Sequence, residues 1–275
     1  MNKLTTILLT LTVSPAVFAE GSPWLPGVGD VTISSVGTSG STDEFFIGGN
    51  STDLGGDLEG TFLWLSGSYG LTDSLAFDVR TGYARSTFES NPIEQEDFAD
   101  TSVGVTYQFI NEFQAANIAP TVSARVGYTF GGDYETDLID AIGDGGSGFD
   151  LSLLLGKSLN EQFAVSGDLT FRQRDNDISD AFKYLISGFY STPVQGLGFQ
   201  LALGGLRTDS DIDIAGPGFG VEQFPQTDRD MDIAIAGVNY NFNSGIGLGL
   251  SRLMLLDGRN VADTDITTLS LSYSF

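Results

Sequence analysis

Apolar and polar side chains alternate along most of this chain. Leu75, Phe77, Val79, Thr81 and Tyr83 are interleaved with Ala76, Asp78, Arg80, Gly82 and Ala84. The same period sets Val103, Val105, Tyr107 and Phe109 against Ser102, Gly104, Thr106 and Gln108, and Val122, Ala124, Val126, Tyr128 and Phe130 against Thr121, Ser123, Arg125, Gly127 and Thr129. Successive side chains of a strand point to opposite faces, so each segment predicts a strand with one oily and one wet face. The pattern is sharpest at the end, where Leu269, Leu271, Tyr273 and Phe275 alternate with Thr268, Ser270, Ser272 and Ser274. Applied throughout, it predicts twelve strands, at 30–39, 59–71, 75–88, 99–110, 119–131, 149–157, 162–174, 181–191, 197–209, 230–242, 246–257 and 264–275. They average about ten to thirteen residues, longer than the roughly five or six of soluble sheets and close to what a tilted strand needs to cross a bilayer.

The connections sort by length. Segments 71–74, 158–161, 192–196 and 243–245 are short turns and 111–118 is moderately longer. Between them, 40–58, 89–98, 132–148, 175–180, 210–229 and 258–263 are mostly longer and rich in Gly, Asp, Glu, Ser and Asn. A β-sandwich uses the same alternation but has no reason to sort its loops this way. Short periplasmic turns and long outer loops are the pattern of bacterial outer-membrane barrels. The expected fold is all-β, a single 12-stranded antiparallel transmembrane β-barrel over residues 20–275, with both termini at the periplasmic end. Tyr69, Tyr107, Phe109, Phe163, Tyr190, Phe199, Tyr240, Phe242, Tyr273 and Phe275 abut short turns, where a periplasmic aromatic girdle would lie; Tyr83, Tyr128 and Phe171 would serve the outer one. A last strand ending on Phe275, with Leu269, Leu271 and Tyr273 before it, resembles the signal read by the barrel assembly machinery.

The compartment agrees. Lys3, the apolar run Ile7–Val13 and the small residues of Val17-Phe18-Ala19 predict a signal peptide over residues 1–19, cleaved before Glu20. The following stretch, E-G-S-P-W-L-P-G-V-G-D, is too short for a plug domain. No other segment approaches the ~20 consecutive apolar residues of a spanning helix. Glycine is 36 of 275 residues, which suits many strands rather than a helical core. With 12 Lys and Arg against 36 Asp and Glu, nothing could neutralise phosphates along a groove, and nucleic acid is excluded as a partner.

Candidate chemistry is narrowed by absences. There is no histidine and no cysteine, which removes His-based catalysis and metal sites built on His or Cys. No serine sits in a G-x-S-x-G elbow, so neither an enzyme nor a cofactor is expected. Asp209-x-Asp211-x-Asp213 imitates the start of an EF-hand, yet Ile214 stands where the turn needs Gly and Gly220 where a bidentate Glu belongs. The polar strand faces offer more. Asp78, Arg80, Gln108, Arg125, Asp168 and Arg172, with Lys183 as a weaker member, would project into the lumen, where a charge must be wet or paired. They suit either an Arg–Asp network bracing a narrow barrel or a polar path selecting a solute. Leu154, Ile233 and Ile235 fall on the same face, so the lumen is expected to be amphipathic. Arg85, Arg174, Arg207, Arg229, Arg252 and Arg259 fall near the outer rim, where they would pair with lipopolysaccharide phosphates or with loop carboxylates.

The phrases L-T-D-S-L-A-F-D-V-R, A-D-T-S-V-G-V-T-Y-Q-F, P-T-V-S-A-R-V-G-Y-T-F-G-G-D and G-S-G-F-D-L-S-L-L-L-G-K-S-L resemble the phenol-degradation meta-pathway family of outer-membrane proteins. The resemblance implies a barrel that moves small, often aromatic or hydrophobic, molecules. It departs at F-G-G-D, where a proline-containing turn would be expected. The expected function is passive diffusion of a small solute through a narrow, charge-lined lumen. The alternative is a non-transporting surface barrel that binds a partner through its acidic loops 132–148 and 210–229. Outer-membrane lipid and lipopolysaccharide are partners under both.

Overall fold

A computed structural model describes residues 21–115, 119–175 and 178–275, the side chains of 92 and 93 excepted. The expected signal peptide lies outside the described residues. The strands in order are β1 (Val31–Ile47), β2 (Asn50–Thr72), β3 (Leu75–Phe88), β4 (Asn91–Ile110), β5 (Thr121–Phe130), β6 (Gly148–Ser158), β7 (Phe163–Arg174), β8 (Ala181–Ser191), β9 (Leu197–Thr208), β10 (Asp230–Asn241), β11 (Ile246–Arg259), β12 (Val261–Ala262) and β13 (Ile266–Ser274). Long neighbours pair antiparallel, and β1 pairs with both β2 and β13, so the sheet closes on itself. Twelve strands make the ring; β12 is a two-residue addition bonded to β1 beyond the end of β13. Closure leaves the ring without a free edge, the condition for backbone hydrogen bonds to survive in lipid.

The alternation sorts outside from inside. Leu201, Ile186 and Leu269 are 69%, 65% and 63% exposed on the outer face, alongside Leu271, Tyr273 and Phe275. Their strand neighbours Ala202, Ser187 and Thr268 are buried on the inner face. Aromatics meet in pairs at the short-turn end: Tyr107 with Phe109, Phe163 with Tyr190, Tyr240 with Phe242, and Tyr273 with Phe275.

The expected outer loops 40–58 and 89–98 are instead strand. β1 and β2 run on to a turn at Gly48-Gly49, whose φ values of 55° and 83° suit the two left-handed positions of a tight hairpin turn. β2 is 23 residues long, about 75 Å at strand spacing, while crossing a bilayer takes about 9–11 residues. β3 and β4 likewise meet across Glu89-Ser90, and β11 continues to Arg259. Polar composition misled because a strand standing beyond the bilayer is wet on both faces, and its backbone ladder needs no apolar stripe. The longer outer connections that remain are 131–147, 175–180 and 209–229, which carries a 3-10 turn at Val221–Gln226, while β12 joins β13 through only the three residues 263–265.

The stretch 21–30 ahead of β1 lies in the mouth at the short-turn end of the barrel. Gly21 packs against Leu154 and Arg125, and the Pro23 carbonyl accepts hydrogen bonds from Gln108 and Ser123.

Candidate functional site

The inner wall is divided by chemistry. One register row runs Asp78 on β3, Gly104 on β4, Gly127 on β5, Asp150 on β6 and Arg172 on β7. The two glycines leave a gap between carboxylates, and the Arg125 guanidinium from the adjacent row fills it. A Cβ on either glycine would collide with that guanidinium. Arg125 reaches across β4 to Asp78 with two bonds, Nε to Oδ1 at 2.9 Å and Nη2 to Oδ2 at 2.6 Å. Paired forks of this kind are the strong form of the contact. Arg172 Nε donates to Asp150 Oδ1 at 2.5 Å, and Thr129 Oγ1 donates to Asp150 Oδ2 at 2.9 Å. Asp168 lies 2.8 Å from Thr170 Oγ1, which lies 2.7 Å from Ser152 Oγ. Lys183 is buried on the same face of β8. Arg125 is 1% exposed and Asp150 0%, so the middle of this network is dry and neutralised, while the Asp78 and Arg172 side chains remain partly accessible.

Opposite it the wall is thin and hydroxylated. Thr32 and Ser34 of β1, Ser66 and Ser68 of β2, and Ser270, Ser272 and Ser274 of β13 line it beside Gly247 and Gly249 of β11. Ser34 and Ser66 hydroxyls meet at 2.6 Å, Thr32 and Ser274 at 3.0 Å.

Two apolar patches complete the interior. Leu185, Ala202, Ile233, Ile235 and Leu253 form one, flanked by Leu206, Met231, Leu255 and Ile266. Ala84, Ala99 and Ile142 form the other, with Phe62, Trp64 and Tyr134 against it. Phe62 and Trp64 are stacked, and the Arg80 guanidinium carbon stands 3.9 Å from the Trp64 ring centroid. That contact joins the charged row to the aromatic patch. The partnership of Arg80 with Trp64 has no signal in the sequence, since it needs the register of β2 on β3.

At the rim, Arg85, Arg207 and Arg252 share the outward face with the lipid-facing residues of their strands, and each meets a carboxylate. Arg85 pairs with Glu94, Arg207 with Asp232 at 2.7 Å and Arg252 with Asp265 at 2.9 Å. Arg174 lies inside, 4.0 Å from Asp144, and Arg229 donates to the carbonyls of Phe224 and Pro225. Arg259 binds Asp213 through two bonds of 2.9 and 2.6 Å and reaches Asp228 at 3.1 Å, tying the 209–229 loop down. Hydrogen bonds from Arg259 and then Asn260 hold the Asp213 carboxyl below the ordinary aspartate range. Burial, aided by Asp230, pushes Asp228 above it. Asp213, third in the EF-hand-like spacing, is thus committed to an arginine. Among the described residues no group of three or more acidic, His or Cys side chains is placed to hold a metal ion.

No protein-family model and no curated relative matches the sequence. Solved structures match in fold. An outer-membrane channel from Pseudomonas putida F1 has a TM-score of 0.74 at 17% identity, covering 94% of this chain and 99% of that one. The translocator domain of the autotransporter NalP from Neisseria meningitidis gives 0.53 at 14%, covering 98% and 95%. The NanC porin gives 0.52 at 10%, covering 87% and 98%. At these identities the likeness is one of fold. A closed twelve-stranded ring with an apolar outer belt, shared with such barrels, puts the chain in the bacterial outer membrane.

Proposed function

We propose that the chain is a channel for passive diffusion of a small amphipathic solute, within the aromatic or hydrophobic class that the sequence resemblance implies. The observation that carries this reading is the divided inner wall. A solute with a polar and an apolar end meets hydroxyls of β1, β2 and β13 on one side and the Trp64 and Ile233 patches farther out. Selectivity arises when such groups replace the hydration a solute leaves behind. A twelve-stranded ring lies between eight-stranded barrels filled by their own side chains and wide porins, so the path is narrow. Likeness to a channel from Pseudomonas putida F1 and to the NanC porin supports the reading. Arg80 and Arg172 are the charges we assign to selection; Arg125 and Asp168 we assign to bracing the wall, and Gln108, which donates to the Pro23 carbonyl, to holding the segment ahead of β1. The outward Arg85, Arg207 and Arg252 would exchange a carboxylate for a lipopolysaccharide phosphate.

Purified protein in a planar bilayer is expected to show discrete openings. Arg80→Glu is expected to shift the reversal potential toward cations. A folded barrel that stays silent would return the alternative, a surface barrel binding a partner through acidic loops, for which the dry packing of Arg125 and Asp150 is the favouring observation.

A further inference from the structure

The periplasmic mouth contains a built site for an extended peptide, occupied by the chain's own residues 21–26. Two donors on neighbouring strands, Gln108 Nε2 and Ser123 Oγ, converge on the single carbonyl of Pro23 at 2.9 and 2.8 Å. Trp24 Nε1 donates to Glu112 Oε1 at 3.0 Å, and the Glu112 carboxylate is buried with Lys157 Nζ at 3.1 Å and the Ser158 amide beside it. The indole fills the space over Gly156, where a Cβ would fall 2.7 Å from Trp24 Cζ2, and it meets Phe189 edge-on. On the far side, the Pro26 and Gly27 carbonyls crowd Gly70, and Gly29 and Asp30 exchange backbone hydrogen bonds with it. The segment therefore crosses the mouth from the end of β2 to the ends of β5 and β6. Pro23 and Pro26 restrict it to an extended form, lowering the ordering cost of docking.

Buried polar groups cost free energy unless paired; Gln108, Ser123 and Glu112 are buried beneath the segment, and its departure would open them to the solvent of the barrel mouth, where water can take over the pairing. We propose that residues 21–26 are a tethered, releasable ligand of this site, a strap that narrows the periplasmic end of the lumen and widens it on leaving. The proposal deepens the channel reading and rests on it.

Two variants release the strap by different means. Deletion of residues 21–26 removes it, and Gly156→Val occupies the indole's place. Heat-modifiable gel migration establishes that each is folded; if the valine variant fails to fold, the deletion carries the test. Both are expected to raise single-channel conductance, and the synthetic peptide Gly-Ser-Pro-Trp-Leu-Pro, added from the periplasmic side of the deletion variant, to lower it again. The peptide's tryptophan fluorescence, followed in a Trp64→Phe background, reports binding without any need for conduction. Unchanged conductance in a conducting protein overturns the strap whether or not the peptide binds. Silence in every form, with the peptide still bound, would sink the channel reading and keep the site; silence without peptide binding would sink both.

Discussion

At the scale of single residues, the organising contact is the Arg125 fork on Asp78, made possible by glycine at 104 and 127. Asp78→Leu would strip the two-bond fork from the buried Arg125 guanidinium and is expected to destabilise, by up to about 3–5 kcal/mol. Adding Arg125→Met removes the buried charge and is expected to recover most of that loss. Urea titration of the barrel refolded into vesicles measures both. Gly104→Val is expected to destabilise without altering any charge, because the new side chain would stand where the guanidinium lies. The Asp213–Arg259 clamp has a pH signature. Its carboxyl is depressed in the folded state, so its contribution is present above the unfolded value of about 3.9 and is lost as pH falls through the lower folded value. Asp228 is shifted upward, so it protonates first on acidification and relieves its own buried charge while the clamp still holds. Loop 209–229 is thus expected to resist pepsin near the ordinary aspartate pKa and to be cut only below it; Asp213→Asn should bring cutting to higher pH.

At the scale of elements, each strand carries two separable roles. The lower part of β13 faces lipid through Leu269, Leu271 and Tyr273. Leu271→Arg, two residues from the girdle residue Tyr273, is expected to cost about 1 kcal/mol, less than the roughly 2–4 kcal/mol of a midplane position, whereas Ser270→Ala on the inner face should change stability little. The upper parts of β1 and β2 are paired up to Gly48-Gly49 except at an irregularity, where the register jumps from Thr42 opposite Leu58 to Glu44 opposite Asp53. Replacing Glu44–Asp53 by a two-residue Asn-Gly turn is expected to leave heat-modifiable migration intact, because the ring closes lower down through β1 and β13.

For the whole molecule, the ring count and the sense of every strand were legible from alternation and loop sorting, since both report a local period. The tall hairpins were not, because beyond the bilayer neither face needs apolar side chains, although Gly48-Gly49 between Ile47 and Asn50 was a turn signal that could have found one of them. The lumen-facing set was legible as a set. Its partnerships were not: Asp78 and Arg125 are 47 residues apart and meet across an intervening strand.

By itself the sequence determined that this chain builds long strands with one oily face, that the oily face turns outward, and that charges and hydroxyls line the inside. Those outcomes follow from the two-residue period of an extended backbone, which any short stretch expresses. Only the tertiary structure decided that Arg125 lies over two glycines to reach Asp78, that Arg80 stands on Trp64, and that Trp24 crosses the periplasmic mouth. Each depends on the register between strands and on the closing of β1 against β13, and no local pattern encodes which side chains a closed ring will bring face to face.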